Sequence, residues 1–276
     1  MRVFTQLSVA FVFSLIGILY SCSDKNKNAD TYLAEAQTAL QQGNYALAKL
    51  KIDSIQLLFP KAYDQRKSGI ALMREVRMAE NKRNITYCDS MLAVHYAQLS
   101  DLQQKFDYIR DDRYQEFGEY YPKVYPYRGS LQKSGVRSGV GEKGALFIES
   151  ILSGQTVRHT KIKVSSKDNN YVETLPVTAD GLNYRFSTLN NTYEIVRYSN
   201  NYENGVAKFI YTFQDQPLTV TFEGGRKPIS FTMNSASKKG IALSFELSSL
   251  LLDIEQLKFE KEKSETLIRY LESRNH

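Results

Sequence analysis

The spacing of hydrophobic positions changes character several times along this chain. An apolar run covers 7–20, broken only by the small or weakly polar Ser8, Ser14 and Gly17. It is too short and too early for a stable spanning helix and has the layout of a secretory signal, with Arg2 as its positive flank. Residues 23–28 carry no apolar side chain and predict a short tether. Asp30 is the expected N-cap of a helix over 31–42. Gly43-Asn44 should break it, a second helix is expected over about 45–59, and Pro60 should stop that one.

From Asp64 to Phe117 there is no proline, and Gly69 is the only glycine. Ile85, Cys88, Leu92, His95, Leu99, Leu102, Phe106 and Ile109 alternate by three and four residues, which lines one helix face with a heptad seam. Near the C-terminus Leu250, Ile254, Leu257, Lys261, Ser264, Ile268 and Leu271 repeat that spacing, with Lys261 and Ser264 weakening the middle. A lone helix would leave this stripe wet, so the last helix is expected to pack antiparallel on the earlier one, or else to self-associate.

After Pro122 the period drops to two. Leu218, Val220 and Phe222 face one way and Thr219, Thr221 and Glu223 the other; Ile229, Phe231, Met233 and Leu243, Phe245, Leu247 read alike. Turn chemistry at Asp168-Asn169-Asn170, Asp180-Gly181, Asn190-Asn191, Asn200-Asn201, Asn204-Gly205 and Gly224-Gly225 separates the segments. Eight or nine strands between about Gly144 and Leu247 would make a β-sandwich. The glycine-rich stretch from Ser134 to Gly144 lacks the ending of a phosphate loop and reads as a flexible loop.

Leu19-Tyr20-Ser21-Cys22 resembles the lipobox of a bacterial lipoprotein, although Tyr20 is bulkier than such boxes usually carry. The resemblance implies cleavage before Cys22, a diacylglyceryl thioether on its sulfur and acylation of the new amino group. Because Ser23 and not Asp follows, it further implies attachment to the outer membrane of a Gram-negative envelope, facing either the periplasm or the outside. The segment 31–60 resembles a single tetratricopeptide repeat. Tyr32 stands at the Trp place, Ala36 at the Gly place, Ala48 at the small contact, Ile52 at the Phe place and Pro60 at the end, while Glu35 and Ala39 depart from the pattern.

The chain carries 24% charged and 42% hydrophobic residues, the balance of a folding chain, with a net charge of +6. The positive charge is dispersed, with no basic block and no RNA-binding aromatic motif, so nucleic acid is not an expected partner. If Cys22 is lipidated, Cys88 has no disulfide partner. Cys88 and His95 lie about 10 Å apart along one helix and cannot share a metal. His95, His159 and His276 are too scattered for a zinc motif, and no metal or other cofactor is expected. No nucleophile elbow, zinc-protease or calcium-loop signature occurs, and the chain is not expected to be an enzyme. Glu149, Glu173, Glu194 and Glu223 are carboxylates whose separations only a fold can show.

Two features could bind. Tyr114, Phe117, Tyr120, Tyr121, Tyr125 and Tyr127 are dense in aromatics that could stack on sugars or anchor an interface, or simply pack the helix–sheet junction. His159, Lys161 and Lys163 would share the exposed face of a strand, where they could meet acidic groups or guard an edge. The expected fold class is α+β: a helical hairpin and long coiled-coil-like helices, with an antiparallel β-sandwich inserted before a C-terminal helix. The order would be signal peptide 1–21, tether 22–29, helical domain 30–121, sandwich 122–247 and C-terminal helix 248–276 packed on the helical stalk. The function expected is a lipid-anchored, non-catalytic interaction or scaffold module with an envelope-protein partner. The alternatives are a surface lipoprotein binding glycan through its sandwich and a passive spacer.

Overall fold

The computed structural model describes residues 27–126, 133–178 and 182–274. The signal run, Cys22, Tyr127 and the Asp180-Gly181 turn lie outside the described residues. The chain divides into two compact units, residues 1–90 with 259–276, and residues 91–258. Its class is α+β, with two antiparallel sheets preceding a C-terminal helix.

The first unit is helical. Helix α1 covers 27–41, α2 is Tyr45–Leu58, α3 is Tyr63–Gln103 and α5 is Ser235–Ser273, the last two continuing into the second unit. Gly43 takes a left-handed φ of 71° after α1, and the Asn44 side chain accepts the Leu47 N–H at 3.1 Å to cap α2. The tether and N-cap readings need correction. Residues 27–30 are already helical, because Ala29 is fully buried and draws the helix back a turn. Ala36, Ala39, Ala48 and Ile52 form the core of the α1–α2 hairpin with Leu72 and Val76 of α3, their small side chains letting the helices approach closely. The end of α5 lies antiparallel to the start of α3: Arg74 Nη2 donates to the Leu271 carbonyl at 2.5 Å, and Lys261 pairs with Asp89 at 2.6 Å.

The second unit holds the sheets. A six-stranded sheet has the order β1-β2-β3-β4-β8-β7, with β1 Phe106–Ile109, β2 Glu119–Pro122, β3 Gly135–Gly141, β4 Leu146–Ser153, β7 Asn183–Ser187 and β8 Thr192–Ser199. A four-stranded sheet has the order β10-β9-β5-β6, with β5 Lys161–Ser166, β6 Tyr171–Glu173, β9 Leu218–Glu223 and β10 Ile229–Thr232. Ile148, Leu152 and Val196 of the first sheet share one core with Ile162, Val164, Val220 and Phe222 of the second. Helix α4 (Val206–Phe213) and Ile241 of α5 complete that core. Left-handed Asn169, Asn200 and Asn204 stand at turns that the Asn-rich sequence marks.

Several boundaries differ from the expectation. Phe106 and Ile109 leave the heptad seam for β1, where Phe106 is buried with Val140, Leu247 and Leu251. The β region therefore begins in the part assigned to helices, with Tyr120 and Tyr121 in β2. The stretch read as a glycine-rich loop is β3, inside the larger sheet. A Cβ on Gly139 would lie 2.4 Å from the Phe147 ring, so the bare backbone is what lets that ring lie on the strand. Leu243, Phe245 and Leu247 belong to α5, which starts at Ser235 and not at 248. Their alternation coexists with a helical spacing of Ile241, Ser244, Leu247 and Leu251. Packing favours the helix: the Ser244 hydroxyl receives that of Ser138 at 2.8 Å and Ser248 donates to the Gly144 carbonyl at 2.6 Å.

Candidate functional site

The tyrosines of the linker are divided between two faces of β2. Tyr120 packs edge to face on Phe106, its hydroxyl receiving Gln103 Nε2 at 2.9 Å. Tyr121 is buried on the other face and donates to Glu119 at 2.5 Å. Burial first, and that carboxylate second, push its phenol well above the ordinary range. The Tyr125 hydroxyl reaches the space a Cβ on Gly135 would fill. Tyr120, Tyr121 and Tyr125 serve packing, whereas Tyr114 and Phe117 of the same stretch are 82% and 40% exposed.

Lys161 and Lys163 do share the outer face of β5. Lys161 pairs with Glu173 at 2.5 Å and Glu223 at 3.2 Å, and the bond to Glu173 raises its pKa. Lys163 stands over the Tyr171 ring at 4.0 Å. His159 does not join them, which corrects the exposed basic strand. It precedes β5 and is fully buried, because the chain turns at Arg158, whose φ is 64°.

That turn builds a hydrogen-bonded chain between the sheets. His159 Nδ1 bonds Glu194 of β8, and His159 Nε2 lies 2.6 Å from the Ser150 hydroxyl on β4. The backbone N–H groups of Arg158 and His159 also donate to Glu194, at 2.8 and 2.5 Å. Left-handed Arg158 aims these successive N–H groups at one carboxylate, the geometry of an anion nest. Burial works against the charge on Glu194, yet the His159 ring and the two N–H groups hold its carboxyl well below the usual range, at about 2. Because an ionised carboxylate only accepts, Nδ1 carries a proton, and in the neutral ring Nε2 then accepts from Ser150. The His159 ring stacks on Phe222 of β9, the strand paired with β5, centroids 4.5 Å apart.

Serine, imidazole and carboxylate in this order are the parts of a charge-oriented nucleophile. Here they cannot be reached: Ser150, His159 and Glu194 are each 0% exposed, and Ser150 points between the sheets from a strand paired on both sides. The arrangement fastens one sheet to the other through a satisfied polar network. A fluorophosphonate probe is expected to leave Ser150 unmodified in the folded protein, as intact-mass measurement would read; stoichiometric labelling would mean that the sandwich opens. Neither the motifs nor the spacing signals this trio, since Ser150 lies in β4, Glu194 in β8 and His159 in the connection before β5.

On the other face of the larger sheet, Arg137, Glu149 and Arg197 occupy directly paired positions on β3, β4 and β8. Arg137 donates to Glu149 at 2.5 Å and Arg197 at 2.7 Å, and Arg197 also bonds Glu119 at 2.7 Å. The Arg197 guanidinium lies 3.8 Å from the Phe147 ring centroid, on the ring that Gly139 admits. Burial opposes the charge on Arg197, but Glu149 and Glu119 hold its pKa above the ordinary value. Glu149 and Glu194, two of the carboxylates whose separations the sequence leaves open, are each committed to cations or N–H donors. Among the described residues no group of three or more His, Cys, Asp or Glu could hold a metal ion. Burial, then the charges of Glu260 and Asp89, push the buried Cys88 thiol up. No described helix is long and apolar enough to cross a membrane.

No protein-family model matches the chain, and neither a curated protein nor a solved structure resembles it significantly.

Proposed function

We propose that this chain is a lipid-anchored cell-envelope protein, attached through Cys22 to the outer membrane, that works as a non-catalytic interaction or scaffold module. The observation that carries the interaction reading is the outer face of the α1–α2 hairpin. Its inner face is already filled by Leu72 and Val76 of α3. Its outer face keeps a shallow groove of about 470 Å³ lined by Ala34, Ala39 and Leu47, with the Glu35–Lys51 ion pair at its rim. Leu50, 61% exposed, follows Leu47 on the same helix. Repeat-like helical hairpins bury such faces by stacking a further helix, and an envelope protein offering one is the partner this groove fits. The Ser150–His159–Glu194 arrangement is fully buried, which fits a non-catalytic role.

The test is in-cell cross-linking and affinity purification of wild type, Cys22→Ala and Leu47→Asp/Leu50→Asp. The expected result is palmitate labelling lost only in Cys22→Ala, and one envelope protein captured by wild type but not by the Leu47/Leu50 variant, whose thermal unfolding is unchanged. Equal capture by both would overturn the groove as the docking face.

A glycan-binding reading keeps one specific support. On edge strand β7, Phe186 is 40% exposed and stacks on Tyr193 with centroids 4.9 Å apart, a platform of the kind sugars use. A glycan array read with wild type and Phe186→Ala decides it: no binding, or binding indifferent to Phe186, removes this alternative.

A further inference from the structure

The start of α1 and the corner between α2 and α3 lie at the same end of the helical unit. Tyr32 meets Phe59 edge to face with centroids 5.6 Å apart, and Gln65 Nε2 donates to Asp30 at 2.9 Å. That corner is apolar and bare. Leu57 is 81% exposed, Leu58 55% and Tyr63 73%, and Ile70, two turns into α3, is 66%. Isolated exposed leucines are ordinary, but adjoining ones beside a tyrosine form a patch that calls for a partner.

The charges around the patch have one dominant sign. Lys61 and Lys67 flank it and make no ion pair among the described residues, with Asp64 between them. Lys67 and Ile70 also border a groove of about 590 Å³ that Arg77 and Arg274 line, where Asp53 is the one acid among the lining residues. Leucine and tyrosine beside unpaired lysines is the composition of the interfacial layer of a bilayer, where rings and short apolar chains sit at headgroup depth and cations meet anionic lipid.

The chain's own connectivity selects the occupant. Residue 27 is five Cα steps on from Cys22, a reach of at most about 18 Å even fully extended. A lipid on Cys22 therefore holds this end of the helical unit close to the anchoring membrane.

We propose that the α2–α3 corner is a second membrane contact, with Leu57, Leu58 and Tyr63 entering the interfacial layer and Lys61 and Lys67 meeting anionic phospholipid headgroups. This rests on the reading of Cys22 as the anchor. It adds orientation to an anchor whose several acyl chains already hold the protein stably, and it leaves the Leu47 end of α2 facing away from the bilayer, about 15 Å along the helix.

The chain contains no tryptophan, so single substitutions report their own surroundings. The full chain from Cys22 onward would carry Leu57→Trp, Leu58→Trp or Leu47→Trp. It would be coupled through the Cys22 thiol to a maleimide lipid under native conditions, where Cys88 is buried. This tether supplies the anchor whether or not the cell lipidates Cys22, so palmitate labelling and the present test fail independently. The vesicles would be phosphatidylcholine with or without phosphatidylglycerol, doped with brominated lipid.

The expected result is a blue-shifted emission and about threefold stronger bromolipid quenching at positions 57 and 58 than at 47. Phosphatidylglycerol should increase the quenching, and Lys61→Glu/Lys67→Glu should abolish that increase. Equal quenching at 57 and 47 would overturn the proposal. So would a blue shift that appears without vesicles and grows with protein concentration, which would assign the corner to a second copy of the chain. Leu57 is mostly solvent-exposed, so its replacement leaves the core intact.

Discussion

Glu194→Gln is expected to destabilise the sandwich by about 3–5 kcal/mol, as urea or thermal unfolding would read, although the side chain keeps its shape. The carboxylate sits at 0% exposure and accepts from the His159 ring and from the N–H groups of Arg158 and His159, with Arg185 Nε at 3.4 Å. An amide offers one oxygen where two are needed and points its own N–H groups at donors, leaving buried groups unsatisfied. The same substitution should change the acid response. The folded-state pKa of Glu194, about 2, lies below the unfolded value of about 4.3, so its contribution is complete above roughly pH 4.5. It is lost as pH falls from there through about 2. Wild-type stability should therefore fall steeply across that window, and Glu194→Gln should be less stable at pH 7 with a shallower acid slope. Parallel slopes in the two proteins would show that Glu194 titrates normally and that the nest does not hold its charge.

Glu149→Ala carries the second large effect. Glu149 is 1% exposed and accepts from Arg137, 2% exposed, and from Arg197. Removing it takes the carboxylate from a buried guanidinium, at an expected cost of about 3–5 kcal/mol. Arg197 retains Glu119 when Glu149 is removed. The double variant Arg137→Met/Glu149→Leu should lose less than Glu149→Ala alone, because it removes the buried charge along with its partner. If the double variant is the less stable of the two, the row contributes net binding energy to the sheet and not merely mutual compensation. Chemical unfolding of the three proteins at neutral pH decides between these outcomes.

These two networks lie where the sequence offered least guidance. Lys161, Lys163 and His159 carry the same parity in the chain, and a regular strand would expose all three. Only the left-handed turn at Arg158 inverts His159, and a short-range pattern contains no record of that φ. Glu194 is far in sequence from Ser150 and His159, and the three meet because β4 and β8 pair in one sheet while His159 leads into β5 of the other. The cross-strand row of Arg137, Glu149 and Arg197 likewise depends on register, which is set by the whole pairing and not by any one strand. The glycines of β3 misled for a related reason: taken locally they signal a loop, and only the Phe147 ring pressed against Gly139 explains them as strand positions.

Sequence alone determined what rests on local chemistry. Gly43-Asn44 and Pro60 delimit α2, the heptad seam runs from Ile85 to Leu102, and the turns at Asn169-Asn170 and Asn190-Asn191 stand between strands, while those at Asn200 and Asn204 lead into α4. Each of these follows from a few adjacent residues whose conformational preference needs no distant partner. The choice between strand and helix for Leu243, Phe245 and Leu247 did not, since both periods are written there. The shared sheet core and the serine contacts to β3 resolved it in favour of α5. Tertiary structure alone decided which polar side chains are buried, because an isolated Glu or His prefers water and enters a core only when distant segments supply its hydrogen bonds.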